Sequence, residues 1–178
     1  MKVMYESPDY QVIKKVDECE LRLYHQFHTV SIQESSLSGY SGFGYLFNYI
    51  SGNNKASTKM KMTVPVINDL DANENTMEFV IPRVHETAIP QPNDSMMKIK
   101  EYPKQHVLVY TFSGLINSDK LKSIMDKMNV TLSTLKMVRV GEPKIARYNG
   151  PYTLPFLRHN EVWLNVRLAD NLDRVHTT

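Results

Sequence analysis

Between Ala56 and Val66 apolar and polar side chains alternate without a break: Met60, Met62, Val64 and Val66 fall on one side, Lys59, Lys61, Thr63 and Pro65 on the other. A period of two predicts a half-buried strand. Pro65 has no N–H for a ladder, so the strand is expected at a sheet edge or ending in a bend. Its apolar side, with two adaptable thioethers, suits either plain sheet core or the wall of an apolar pocket.

Reading the chain in order, Tyr10–Lys15 predicts a first strand and Glu20–Gln33 a longer second one, with Leu21, Leu23, Phe27 and Ile32 among its apolar positions. The phase slips between Leu23 and Phe27, which predicts a bulge around His25. From Gly39 to Ile50 the pattern turns helical, with Phe43, Leu46, Phe47 and Ile50 as a core-facing stripe and Gly52 placed as C-cap. Gly39, Gly42 and Gly44 weaken the first turn, so close packing on the sheet or a bound ligand must hold it. Thr76–Pro82 predicts another strand, followed by an extended connection between Pro82 and Pro92.

The second half repeats that order. Met97–Glu101 and Gln105–Phe112 predict strands; Asn117, Ser118 and Asp119 offer an N-cap to a helix carrying Leu121, Ile124, Met125, Met128, Leu132 and Leu135. Weak helix formers at Asn129–Thr131 predict a kink or an end there. Lys144–Tyr148 and Glu161–Leu168 complete the set, separated by a loop from Asn149 to Asn160, and a polar tail follows Ala169. Two strand-strand-helix-strand-strand units predict an α+β fold: a distorted antiparallel barrel, both helices outside, built from a duplicated ββαββ unit.

A chain of 178 residues fits one domain, expected over 1–170 with a tail at 171–178. The 21 Lys and Arg against 19 Asp and Glu give too weak a field to predict nucleic acid or an anionic membrane as partner. The single cysteine, Cys19, rules out an internal disulfide and suits a reducing compartment. The N-terminus lacks a signal-peptide core, and no run approaches the roughly 20 apolar residues of a membrane span. A cytoplasmic monomer is expected. No nucleophile–base pairing and no phosphate-binding glycine loop is legible, so a non-enzymatic role is expected.

Three blocks of sequence are shared with a known family. Lys61-Met62-Thr63-Val64-Pro65-Val66 following Tyr49-Ile50-Ser51-Gly52-Asn53, then Phe79-Val80-Ile81-Pro82 with Ile89-Pro90-Gln91-Pro92, and finally Arg147-Tyr148-Asn149-Gly150-Pro151 with Arg158-His159-Asn160-Glu161-Val162-Trp163-Leu164, resemble the SOUL haem-binding proteins in the same order. The likeness runs from about Tyr10 to Leu168. It implies the same barrel with two flanking helices, and non-covalent binding of haem or another tetrapyrrole in a groove between the first helix and the loop joining the last two strands. Carried over by position, that groove comprises Tyr40, Phe43, Phe47 and Asn48 on one side and Tyr152, Leu154, Phe156, Arg158 and His159 on the other.

A haem groove needs apolar walls, a cation near the propionates and, in some proteins, an axial ligand. Phe43 and Phe47 serve as walls or face the sheet. The first helix carries no Lys or Arg, a departure from the family's pattern, which leaves Arg158, Lys55 or Lys59 as propionate partners. Where some members carry a histidine on the second strand this chain has Leu23, so His159, in the loop, is the axial candidate; a solvated side chain is its plainer role. Glu161 and Trp163 share one strand face. There an acid beside an indole is similar to the gyrase-inhibitor-like effector-binding domains, which take cationic amphipathic molecules; alternatively, Glu161 satisfies backbone donors.

Overall fold

A computed structural model describes residues 4–35, 37, 41–71 and 73–169. Tyr40, Gly39 and the tail at 171–178 lie outside the described residues. Ten strands and two helices follow in order: β1 (Tyr10–Val16), β2 (Cys19–Tyr24), β3 (Phe27–Gln33), α1 (Phe43–Ile50), β4 (Val66–Asp69), β5 (Thr76–Val80), β6 (Lys98–Tyr102), β7 (Gln105–Phe112), α2 (Ser118–Leu135), β8 (Met137–Arg139), β9 (Lys144–Arg147) and β10 (Asn160–Leu168). All form one antiparallel sheet in the order β1-β2-β7-β10-β9-β4-β5-β3-β6, with β8 also on β10.

The sheet is open, and it curls. β2 and β3 stand six strands apart in that order, roughly 29 Å in a flat sheet at about 4.8 Å per strand. Yet only His25 and Gln26 join them, and the rings of Tyr24 and Phe27 are 6.3 Å apart. The single strand expected over Glu20–Gln33 is therefore two. The phase slip around His25 marks where the chain leaves one end of the sheet for the other, β2 pairing with β1 and β7, β3 with β5 and β6.

Side chains alternate across the pleat. One face carries both helices. Under α2 it buries Leu108, Tyr110, Val162 and Leu164 with Ile124, Met128 and Leu132; under α1 it buries Val30, Met77 and Phe79 with Leu46, Tyr49 and Ile50. The other face is closed by the sheet's own rings, Tyr24, Phe27, Tyr102 and Trp163 among them.

Local departures from expectation have physical causes. Residues 56–65 form no strand; only an isolated parallel bridge joins Thr63 to Glu6, and β4 begins at Val66, immediately past Pro65, which has no N–H to give. The alternation survives as a face: Met60 is buried, and Met62 and Val66 pack on the α1 core. α1 begins at Phe43, and its buried stripe is Leu46, Tyr49 and Ile50, so Phe47 stands 49 % exposed rather than inside. Its weak first turn is tied down by Glu34, whose carboxylate accepts from the Ser41 hydroxyl at 2.7 Å and the Gly42 N–H at 3.1 Å. α2 is capped by Asn117, whose side chain accepts from Lys120 N–H at 2.8 Å, and runs without a break through Asn129–Thr131 because Thr131 is buried in the interface with the sheet.

Candidate functional site

The α1 side of the sheet keeps an apolar cleft of about 300 Å³. Phe43 and Phe47, one turn apart on α1, form one wall; their rings are near parallel at 14° with centroids 6.1 Å apart. Phe43 is anchored edge-on against Phe79 of the core, at 5.2 Å and 67°. The floor is Met62, Val64 and Val66, the apolar side of the alternating stretch. Arg147 at the end of β9, Tyr148 and the Asn149-Gly150-Pro151 turn make the opposite wall.

Tyr5 closes one end, held there by its neighbour. The Glu6 carbonyl accepts from Val64 N–H at 2.9 Å, and its carboxylate accepts from Arg83 N–H at 2.8 Å. Asp9 adds an ion pair to the Arg83 guanidinium.

The loop residues expected on the far side of the groove are not on the lining of this cleft. Tyr152 is 100 % exposed, and Leu154 and Phe156 also project into solvent. Asn48 lies on the exposed side of α1. Arg158 braces its own loop, Nε donating to Thr153 O and Nη2 to Pro151 O, both at 2.8 Å. Lys55 and Lys59 are exposed and do not line the cleft.

His159 Nε2 lies 2.9 Å from Glu161 Oε1; since a carboxylate only accepts, that nitrogen carries the proton. The imidazole stands edge-on to Tyr148, 4.7 Å between centroids.

Glu161, 1 % exposed, is the centre of a buried network. Arg22 Nη1 and Nη2 donate to its two oxygens at 3.0 and 3.1 Å, Trp163 Nε1–H at 2.6 Å and the Tyr148 hydroxyl at 3.1 Å. Burial pushes the Glu161 carboxyl up, but these donors and His159 outweigh it and hold it below the usual carboxylate range. Burial beside that carboxylate pushes the Tyr148 phenol well up. The acid expected to await a cationic ligand, or to take backbone donors, is instead satisfied by side chains and neutralised by Arg22, and Trp163 is packed against Tyr24 at 4.8 Å. The other half of the sheet has a counterpart: Glu78, 0 % exposed, accepts from Thr29, Thr76, Lys100 and Tyr102 at 2.8–3.1 Å.

Among the described residues no three His, Cys, Asp or Glu side chains converge to hold a metal ion, and no helix is long and apolar enough to cross a membrane. Sequence reasoning did not single out Arg147, Tyr148 or Tyr5 as lining. The signal available for the first two was a cation and a ring closing a short apolar strand directly before an Asn-Gly-Pro turn; nothing local marks Tyr5.

Comparison with known proteins matches residues 5–165 to the family described as SOUL heme-binding protein. Heme-binding protein 2 of Mus musculus is 27 % identical over 175 residues, covering 89 % of this chain and 85 % of its own length. The Homo sapiens protein of that name is 29 % identical over 161 residues, covering 82 % and 76 %. Among solved structures, the C-terminal domain of EcmrR superposes with a TM-score of 0.58 at 12 % identity, over 89 % of this chain and 98 % of that one. A hydrolase from Listeria innocua gives 0.58 at 11 % identity, over 84 % and 92 %. At such identities these two likenesses concern the fold alone. The family match spans every element from β1 through most of β10, and the chain belongs to the SOUL heme-binding protein family.

Proposed function

We propose that this chain binds haem or a closely related tetrapyrrole, without covalent attachment, in the cleft between α1, the Met62–Val66 floor and the Arg147–Pro151 wall. The observation that carries the reading is the form of that cleft: near-parallel phenyl rings beside an aliphatic and thioether floor, which suits the faces of a flat macrocycle. Its volume is at the small end of the roughly 300–1,000 Å³ of ligand sites. Part of the macrocycle therefore projects, and Tyr40, Tyr152, Leu154 and Phe156 are proposed to cover it, with Asn48, Arg158 and His159 at the rim. Met62 and Tyr5 bring a thioether and a phenol to the lining. His159 would have to release Glu161 to ligate iron through Nε2, so apolar contact is the main holding force in this reading.

The role is carriage or buffering rather than turnover, in a monomer. A single, buried cysteine and a net charge of +2 suit the cytoplasm. We also propose that the two halves arose by duplication. The strand order supports this, since β2-β7-β10-β9 on one side repeats β6-β3-β5-β4 on the other. So does the matching spacing of Arg22 and Tyr24 on β2 and Lys100 and Tyr102 on β6, each pair set beside a buried glutamate.

Titration of the purified protein with hemin, in the presence of a competing apolar scavenger, tests the main reading. A saturable one-to-one change in the Soret band is expected; its absence sinks the proposal.

A further inference from the structure

Asn149-Gly150 is the only asparagine–glycine pair in the chain; every other asparagine precedes a residue with a Cβ. Both residues of the pair are exposed, and both line the apolar cleft. The pair also stands at the neck of the loop that joins the last two strands. There Asn149 Oδ1 accepts from His159 N–H at 2.6 Å, and Tyr148 N–H donates to His159 O at 3.1 Å. Inside the loop Gly150 O accepts from Thr153 N–H at 3.1 Å, and Arg158 is bonded to the carbonyls of Thr153 and Pro151.

Asparagine is thermolabile because the backbone nitrogen of the next residue can attack its side-chain amide carbon. Three conditions favour that attack here. Gly150 has no Cβ to stand beside the attacking nitrogen. Among the described residues its N–H has no acceptor, so no hydrogen bond has to break before it reacts. The amide carbonyl is polarised by the His159 N–H bonded to Oδ1, a donor already placed where negative charge gathers during the attack. Other asparagines are held differently. Asn54 is buried with its side chain bonded to the carbonyls of Tyr49 and Thr58, and Asn117 caps α2 ahead of Ser118.

We propose that Asn149 is a site of spontaneous deamidation, and that its isoaspartyl product opens the neck of the 149–160 loop. A bond forms between Gly150 N and Asn149 Cγ, the Cγ–Nδ2 bond breaks, and Nδ2 leaves as ammonia with the proton that Gly150 N gives up. Water then hydrolyses the cyclic imide. Opening at Cγ leaves an aspartate; opening at the backbone carbonyl carbon leaves an isoaspartate, whose main chain runs through the former side chain and is one carbon longer. Either product sets a new carboxylate on the wall of the cleft. The aspartate keeps an acceptor for His159 N–H. In the isoaspartate the added carbon shifts that acceptor, so the two neck bonds and the turn at Gly150 no longer fit together. None of this depends on what the cleft binds.

Purified wild-type protein kept warm at mildly alkaline pH and sampled over days tests this. Isoelectric focusing is expected to show a species with one added negative charge. Methyl transfer from S-adenosylmethionine by an isoaspartate methyltransferase, followed by peptide mapping, is expected to place the isoaspartate at 149. In Gly150→Ala the same signal is expected to fall severalfold. That variant keeps the fold, since nothing lies within 4 Å of a Cβ added at Gly150 and its φ is not positive. Chymotrypsin, cutting beside the exposed Tyr152 and Phe156, is expected to cleave the isoaspartyl fraction faster than fresh protein. A residue 149 that stays unmodified, or an isoaspartate that accumulates as fast in Gly150→Ala, overturns the site. An isoaspartyl fraction cut no faster than fresh protein overturns the opening of the loop.

Discussion

Phe47 is the side chain on which the cleft can be tested with least disturbance to the fold. It is 49 % exposed, so about half of its apolar surface is left for a ligand to cover. Fully burying a phenylalanine side chain contributes about 1.5–3 kcal/mol. The uncovered half is worth about 1 kcal/mol to a ligand lying on it, or roughly fivefold in Kd. The covered half packs on Phe43; losing it lowers stability by about the same amount, with no sealed cavity left behind because the site faces solvent. Phe43 should behave differently: it is partly buried and edge-on to Phe79, so Phe43→Ala should cost about 3 kcal/mol of stability, the low end for truncating a buried phenylalanine. Urea unfolding of the ligand-free variants gives the stability changes, and hemin titration followed at the Soret band gives the affinities. A Phe47→Ala variant that unfolds like the wild type and binds hemin as tightly would show that this face of α1 is no part of the site.

Three further predictions concern the scaffold. Arg22→Met leaves the Glu161 carboxylate buried without its guanidinium and should cost about 3–5 kcal/mol in urea unfolding. Because the Glu161 carboxyl is held below its ordinary value of 4.5, its contribution is fully present above that pH and is lost as the pH falls below it; the stability of Glu161→Gln should fall less steeply there, and parallel acid curves would refute the assignment. At Gly42 an added Cβ would sit 2.6 Å from Ile32 Cγ2, so Gly42→Ala should lose about 1–3 kcal/mol by overpacking. Combining it with Ile32→Ala should cost less than the sum of the two single changes; strict additivity would dismiss the clash.

Strand positions were legible where one face is buried and the other wet. β7 follows its pattern residue for residue, and the strands near β5, β9 and β10 were placed to within a few positions. The short β8 was not expected at all; the failures at Met60–Val66 and at His25 share a cause, which is that period reports facing and not pairing. Met60 to Val66 alternates because one side covers the α1 core and floors the cleft, while its backbone groups find partners in the N-terminal segment and the end of α1 instead of a ladder, as when Met60 N–H donates to Ile50 O. The break at His25 was visible as a slipped phase, but a bulge and a change of sheet edge look alike in one dimension. Of the site, the α1 rings were legible as an apolar stripe. Their division into Tyr49 inside and Phe47 outside was not, because both are aromatic and the stripe rotates by a small angle. Tyr5 depends on Glu6 and Asp9 meeting Val64 and Arg83, contacts distant in sequence.

Why the room lies beside α1 follows from unequal coverage of the two halves. α2 has 18 residues, about 27 Å of helix, and α1 has 8, about 12 Å. The longer helix brings Ile124, Met128, Thr131 and Leu132 onto its half of the sheet and leaves there a smaller cavity of about 130 Å³ over Phe112, Ile116 and Ile145. The shorter one ends at Ile50, where Gly52, at φ +112°, turns the chain away, and the strip between α1 and the end of β9 is left to the Met62–Val66 segment. Trp163, Tyr24, Phe27 and Tyr102 occupy much of the inner face, and its two buried glutamates already have a guanidinium and an ammonium as partners; the space described at its β3–β6 end is polar, lined by Asp69, Glu74, Lys98 and Lys100. A short first helix with two phenyl rings on its uncovered edge leaves the apolar cleft on the outer face, which is where the proposed binding surface lies.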